Sequence, residues 1–516
     1  MLLMERRDVA ACLFVAAACG WGVPLRGQCP DGSSPPCRQT AARPVPARSL
    51  AVLYLQELSG DTANTAIADG LTEEIIARLS QVSGLRVASR YASLGYRGRH
   101  ATDPRRVGRE LGVRYVLDGT LRRAGQGMRI VLTITDAGGF NVWGQTYERH
   151  VDEIFSVEDS VAVAVAQVVL GRLSSGERAR LTPPPASAST DAYQAYLRGR
   201  VAIRGRTAAA ATTAVAAYRE AIALDPRFAR AWAGLAHTLS LARDWGWRVT
   251  GIASDSLQPL AVSAAEQAVH LDSSLAESWL SAAMAMRAND VRRALALHRR
   301  AVSLDSGNVE AIHQLAWGYL ANGELDSAIV FERQAMARDP YYAYTYAGLG
   351  QMLDISGQSA EALTVLAQGI AVDSANAPLY YRQADVLLHL GRVAEARVAA
   401  GRATAFGFDS LGARVLAAIL QLRGGDTAAV LAELPALERT AMGNLTQACG
   451  GLAFSVCASL SGLHAQLGDA EGAVRWGREL PRWPHAFFAQ LFRRHWIWAP
   501  VRDDAGFRAF LAGLQE

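Results

Sequence analysis

Residues 343–378 read AYTYAGLGQMLDISGQSAEALTVLAQGIAVDSANAP, a helical hairpin that ends on Val372-Asp373-Ser374 as the hairpin before it ends on Arg338-Asp339-Pro340. The same beat recurs at Leu224-Asp225-Pro226, Leu271-Asp272-Ser273 and Leu304-Asp305-Ser306, so Asp272, Asp305, Asp339 and Asp373 stand 33, 34 and 34 residues apart. A period of about 34 predicts stacked helix pairs. Before each aspartate two small residues fall seven apart: Ala214 and Ala221, Ala261 and Ala268, Ala294 and Ala301, Ala328 and Ala335, Ala362 and Gly369. Two helical turns place each couple on one face, where only a small side chain lets a neighbouring helix come close. The bulky partners fall on the first helix of each pair, at Trp232, Leu235, Trp279, Ile312, Leu315, Tyr346 and Leu349. Gly323, Gly357 and Gly391 mark the turns between helices, where a positive φ costs glycine little.

This pattern resembles the tetratricopeptide repeat, well over 191–408 and more loosely to 481. Two departures stand out. The step from Asp225 to Asp272 is 47 residues, which predicts an insertion around Asp244-Trp245-Gly246-Trp247, and the large aromatic expected late in the second helix occurs only as Tyr218.

The 516 residues are 50% hydrophobic, which excludes a mainly disordered chain and allows two or three domains. A net charge of +4 without a long basic run gives no footprint for nucleic acid. All 52 basic residues are arginine. A GC-rich coding bias is the plain account, and it leaves no P-loop lysine, Schiff-base lysine or Ser-x-x-Lys nucleophile.

At the N-terminus Arg6 and Arg7 precede an apolar run, 9–22, then Pro24 and a polar segment. The run is short for a bilayer span, so a secretory signal over 1–27 is expected, with 28–48 as a linker. Ala16-Ala17-Ala18 before Cys19 offers a second cleavage site with a lipoprotein-like look, and an uncleaved or lipidated N-terminus would associate with a membrane. The expected location is periplasmic or cell envelope, with inner-membrane anchoring as the alternative. Cys29, Cys37, Cys449 and Cys457 form two pairs of equal spacing, neither of the C-x-x-C kind. Local disulfides suit an exported chain; buried free thiols are the other reading.

Between linker and repeats, 50–55 and 85–88 read as buried strands, 66–82 as a helix, and 105–111 as a short helix capped by Asp103 with Pro104 in its first turn. Three strand-like runs follow at 115–123, 128–136 and 141–149, with Ile130, Leu132 and Ile134 alternating against Val131, Thr133 and Thr135. An amphipathic helix over 154–173 closes the unit. The fold expected is an α+β N-terminal sandwich followed by an all-α solenoid: 49–175 the sheet domain, 176–190 a Pro/Ser-rich linker that separates the domains, 191–481 the repeats, and 482–516 an aromatic capping segment.

Residues 49–171 resemble the TolB amino-terminal-like domain through Leu58-Ser59-Gly60-Asp61, Ala68-Asp69-Gly70-Leu71-Thr72-Glu73-Glu74, residues 108–119, and Val142-Trp143-Gly144 with Tyr147. The resemblance implies a non-catalytic, protein-contacting envelope domain. Relatives with this pairing often carry a DNA-binding or cyclase domain in front. A signal stands in that place here, so neither activity is carried over.

The polar residues of this domain each have a plain reading. Asp69, Thr72 and Glu73 could hold a ligand at a helix start or simply cap it. Gly70 and Gly119 suit close packing. Arg97, Arg99, Arg122 and Arg123 suit a solvated face or an acidic partner. No zincin, nucleophile-elbow, dinucleotide or EF-hand pattern is present, and His313 and His389 read as hydrogen-bonded surface residues of repeat helices. Neither catalytic residue, metal ligand nor cofactor is expected, and the chain is read as not an enzyme. The expected function is an exported scaffold that holds a protein or peptide partner. Its groove would be the concave wall carrying Glu310, His313, Trp317, Tyr344, Gln351, Tyr381 and Asp385, with the N-terminal domain as a second docking site. The alternative is a sensor whose N-terminal domain binds a small molecule or glycan.

Overall fold

A computed structural model describes residues 45–98, 103–183, 186–287, 289–408, 411–443, 445, 456–480 and 485–514. The expected signal, most of the linker after it, Arg99, and Cys29, Cys37 and Cys449 lie outside the described residues. Cys457 is fully buried.

The first part is a sheet with helices on it. Its elements run β1 (Ser49–Val52), β2 (Gln56–Glu57), α1 (Thr62–Ser80), β3 (Arg86–Val87), α2 (Arg90–Leu94), α3 (Pro104–Leu111), β4 (Tyr115–Ala124), β5 (Gly127–Asp136), β6 (Asn141–His150), α4 (Ile154–Leu170) and α5 (Ser175–Leu181). The strand order is β3-β1-β4-β5-β6, with β2 pairing β4; β1 is parallel to β3 and β4, and β4, β5 and β6 form an antiparallel meander. Alternation on β5 decides its faces. Ile130, Leu132 and Ile134 are buried among Leu71, Ile75 and Leu79 of α1 and Val157, Val161 and Val165 of α4. Gly119 is required where β4 meets β5, since a Cβ there would lie 2.2 Å from the Val131 carbonyl oxygen. Asp103 caps α3 by accepting from the Arg105 N–H, and Gly112 ends it in the left-handed region.

The second part is a tetratricopeptide-like solenoid of helix pairs. These are α6 (Thr190–Ile203) with α7 (Ala208–Leu224), α8 (Ala229–Trp245) with α9 (Leu257–Leu271), α10 (Ala276–Met286) with α11 (Val291–Leu304), and α12 (Val309–Ala321) with α13 (Leu325–Arg338). Then come α14 (Ala343–Ile355) with α15 (Ser359–Val372), α16 (Ala377–His389) with α17 (Val393–Ala405), α18 (Leu411–Arg423) with α19 (Thr427–Met442), and α20 (Val456–Gln466) with α21 (Ala470–Arg478). All nine alanines singled out by their spacing are fully buried. At the tenth position a Cβ on Gly369 would sit 2.6 Å from Tyr346 Cβ, so even alanine is too large there.

The recurring aspartate does the same work at every unit boundary. Asp225, Asp272, Asp305, Asp339 and Asp373 each accept from the N–H two residues on, closing an Asx turn where one pair hands over to the next. Six residues beyond the position after the aspartate, an aromatic reaches back to the carbonyl at that position: Trp232 to Pro226, Trp279 to Ser273, Tyr346 to Pro340 and Tyr380 to Ser374, at 2.7–3.0 Å. The bulky residue of the repeat thus anchors the turn as well as the core. The insertion lies in the α8–α9 connection, where Gly246 ends α8 in the left-handed region. Tyr218 is buried against Gly199 and Gly234, at either of which a Cβ would strike its ring.

One expectation is corrected. Residues 176–190 do not separate two domains: α5 occupies the first half, Leu181 is fully buried, and one hydrophobic core runs from Leu50 through α1 and α4 into α6–α9. Tyr193 of α6 carries that continuity, fully buried with its ring 4.5 Å from Phe155 of α4. The reason is area, because α1 and α4 have apolar surface left over once the sheet is covered and α6 buries it. The tail forms α22 (His485–Arg494), a 3₁₀ turn (Trp496–Val501) and α23 (Ala505–Gly513). Phe492, Trp498, Phe507 and Phe510 interlock at 4.6–6.0 Å over the last pair. Among the described residues no helix is long and apolar enough to cross a membrane.

Candidate functional site

The polar residues of α1 form a charged joint between sheet and solenoid. Asp69, Glu73 and Glu74 are buried in the middle of the helix, which begins at Thr62. Neither capping nor ligand binding at a helix start applies, which corrects the sequence reading. Asp69 and Glu73 are one turn apart on α1, and Arg200 on α6 is one turn from Arg204 at its C-cap, so the two helices meet as complementary ladders. Arg204 lies 3.0 Å from Asp69 and 2.6 Å from Glu73, and Arg200 lies 2.8 Å from Glu73. Tyr54 donates to Glu73 at 2.9 Å, and Arg97, itself exposed, pairs with Asp69 at 2.8 Å. Gly70 lets the ladders close, since a Cβ there would be 2.5 Å from Leu197.

One turn further on, Arg78 bridges Glu74 and Glu158 at 3.2 and 2.8 Å, and Arg230 of α8 reaches Glu74 at 3.3 Å. Burial alone would raise both carboxyls. Arg230, Arg78 and Arg200 outweigh it at Glu74 and hold that group down, whereas Glu158, buried and facing the Glu74 charge, is pushed up. Glu73 is likewise held down against its burial by Arg200, Arg90 and Arg204. Sequence reading singles out Arg97 but misses Arg78, Arg200, Arg204 and Arg230. The joint's one visible signal is an acid pair spaced i,i+4 on a helix whose other neighbours are apolar.

On the solenoid's inner wall, the structure places the seven groove candidates in three settings. Glu310, at the start of α12, is taken by the chain itself: Arg206 lies at 2.7 Å, Arg90 of α2 at 3.3 Å and His237 of α8 at 3.5 Å. Burial opposes the Glu310 charge, but His237, Arg206 and Arg90 outweigh it and bring the carboxyl down to about 2. Beside it Tyr91 stacks on Tyr342 with ring centroids 4.5 Å apart. His313, Trp317 and Tyr381 are buried. His313 meets the fully buried Glu332 at 2.8 Å, so it is not the surface residue expected, and Tyr381 packs on Phe408 at 4.6 Å. Tyr344, Gln351 and Asp385 are half-buried. The Arg206 guanidinium lies 4.3 Å from the Tyr344 ring centroid, and Asp385 lies 3.7 Å from His495 of the tail.

The sheet domain and the tail therefore both bear on the inner wall. The sheet domain supplies Arg90 and Tyr91, and Tyr341 reaches the Glu110 carbonyl on α3. The tail supplies His495, 3.5 Å from Asp354, and Gln490, which donates to the Gly323 carbonyl. Between them remains a cavity of about 50 Å³ bounded by α8, α10, α12, α14 and α16. Elsewhere the open feature is β6. It stands at the end of the strand order, eight of its ten residues are exposed, and Phe140 just before it and Val142 within it are among the exposed large hydrophobics.

No family model matches the chain. A curated relative from Rhizobium meliloti (strain 1021), named "Putative adenylate cyclase 3", is 33% identical over 258 residues, 50% of this chain and 42% of the relative. The chain thus spans less than half the length of that relative. This finding corrects the reading of the chain as not an enzyme, because the protein that shares half its length is named a cyclase. Among solved structures, the APC/C hetero-tetramer Cut9–Hcn1 matches with a TM-score of 0.42 at 12% identity, covering 71% of this chain and 63% of that one. PilF of Pseudomonas aeruginosa matches at 0.32 and 16%, covering 42% and 96%, and YrrB, described as a TPR protein with an unusual peptide-binding site, at 0.26 and 18%, covering 38% and 95%. These likenesses are distant.

Proposed function

We propose that this chain is an exported interaction scaffold: a sheet domain and a helix-repeat solenoid held as one body, which docks a protein partner on the open edge of the sheet. The observation that supports this reading is β6, a ten-residue edge strand with its outer backbone edge unpaired in the sheet order and its side chains largely in solvent. Such an edge offers a row of N–H and C=O groups to a strand from another protein, and side chains alternating along it supply selectivity. The inner wall of the solenoid supports docking less, because Glu310, His313 and Asp385 are already engaged by the chain's own arginine, glutamate and histidine side chains. The resemblance of 49–171 to an envelope domain and the signal-like N-terminus support export.

A photo-crosslinking residue at Val142, compared with one at Tyr344, tests the reading in the full chain expressed in a Gram-negative host. Partner adducts at position 142 and none at 344, recovered from the envelope fraction, are expected. Adducts only at 344 would return the docking site to the groove, and recovery only from the cytosol would overturn export.

The cyclase-named relative favours a second reading, in which the chain serves cyclic-nucleotide signalling. Incubating the purified full chain with ATP and a divalent cation and measuring cyclic AMP tests it, and product above that of a heat-inactivated control would make it the leading one.

A further inference from the structure

We propose that the cavity on the solenoid's inner wall is a binding site for a compact organic monocarboxylate. Arg206, Arg287 and Arg382 line it, against Asp244 as the carboxylate among the described lining residues. Arg206 has its counter-charge outside the cavity, in Glu310. Arg382 has Asp385 and Asp354 near it, outside the cavity, whereas Asp244 is shared by Arg243 and Arg287, and all three of those side chains are buried. The Arg287 Nε–H is buried without a hydrogen-bond partner, although that side chain reaches Gln314 at 3.4 Å through Nη1. A buried donor left unmade and a guanidinium sharing one carboxylate are both costly in a dry interior. Burial draws Arg287 and Arg382 down from the usual arginine range, against the pull of the nearby acids. A guest carrying one negative charge relieves these costs together.

The walls indicate the rest of the guest. Trp317 and Tyr344 flank the cavity with apolar surface and, at about 50 Å³, it takes roughly four water-sized groups, too few for a peptide. A short carbon body joined to a carboxylate meets both the charge and the size, and a planar carboxylate suits the fork of an arginine. The site is separate from the β6 edge and does not depend on the docking reading.

Calorimetric titration of the full chain with acetate, propionate and pyruvate, at constant ionic strength and with inorganic phosphate as comparator, tests the assignment. Saturable binding of at least one carboxylate is expected. It should weaken at least tenfold in Arg287→Gln and in Ala347→Leu, which fills the cavity without removing charge, and stay unchanged in Arg333→Gln, whose arginine is exposed and paired with Glu361. Should Arg287→Gln fail to fold, Ala347→Leu carries the comparison alone. No saturable binding of any carboxylate, binding indifferent to Ala347→Leu, or saturation by phosphate alone would overturn the proposal.

Discussion

Glu73→Gln isolates the charged joint, because it keeps the shape of the side chain while removing the charge that Arg200 and Arg204 share. In the native chain Glu73 is 3% exposed, with guanidinium nitrogens at 2.8 and 2.6 Å and the Tyr54 hydroxyl at 2.9 Å. Removing one partner of a buried ion pair typically costs about 3–5 kcal/mol, since the other charge is left uncompensated. Here the two arginines are each 20% exposed and can recover some water, which places the expectation at the lower end, about 3 kcal/mol. Urea unfolding followed by circular dichroism measures it, with Arg204→Gln and the double variant completing a cycle. Contacting charges should show a coupling of roughly 0.5–3 kcal/mol. A cycle that is additive within about 0.5 kcal/mol, or a Glu73→Gln loss below about 1 kcal/mol, would refute the reasoning that α1 and α6 are joined by charge.

Acid should unfold the chain partly through Glu310. Its folded pKa of about 2 lies below the ~4.3 of an unfolded glutamate, so its stabilisation is complete above ~4.3 and is lost as pH falls toward 2. The urea midpoint of Glu310→Gln should therefore fall less between pH 5 and pH 2 than that of the unaltered chain, and equal slopes would count against the Arg206–Glu310–Arg90 bridge. Ala328→Trp and Ala335→Trp should each destabilise by at least the ~1–3 kcal/mol typical of overpacking, since both alanines are fully buried between helices; an unchanged melting temperature would show the helix faces to be wrongly assigned. Cys449 and Cys457 are expected to pair, which mass mapping of the unreduced protein checks, and alkylation at both positions would exclude it.

The solenoid was legible because its determinants are local and repeated. An aspartate that closes an Asx turn, a small residue that admits a helix and a glycine with positive φ each act within a few residues of their own position, so their spacing exposes them. The meander was legible for the same reason, through alternation on β5 and the cap at Asp103. What escaped is long-range. Nothing near Asp69 or Glu73 in the chain indicates that Arg200 and Arg204 will face them, and a polar residue on a helix reads first as a cap. The short helices α2 and α5 escaped because five to seven residues carry too little periodicity to separate them from a loop. Counting offsets places the groove candidates on the inner helices, but it carries no sign that the sheet domain and the tail come to rest there.

The docked sheet domain and tail change what kind of object the array is. In an open solenoid each repeat touches only its neighbours, so stability is a sum of near-neighbour terms and the ends fray first. Here Arg90 meets Glu310 across 220 residues of chain, Tyr341 meets Glu110 across 231, and Gln490 meets Gly323 across 167. Each contact ties a terminal element to the middle pairs, α12 to α14, which are then clasped from two sides. Loosening the sheet domain takes the Arg90 charge from Glu310, and loosening the tail uncovers the buried Asp354 carboxylate, which the His495 ring faces at 3.5 Å. The two are therefore held by the middle and the middle by them, and local opening in α12–α14 must be coupled to release of the sheet domain or the tail. A ligand that fits the cavity between those helices would tighten the same clasp, so occupancy there should slow exchange of backbone amides in α2 and α22 as well as in α12 and α14.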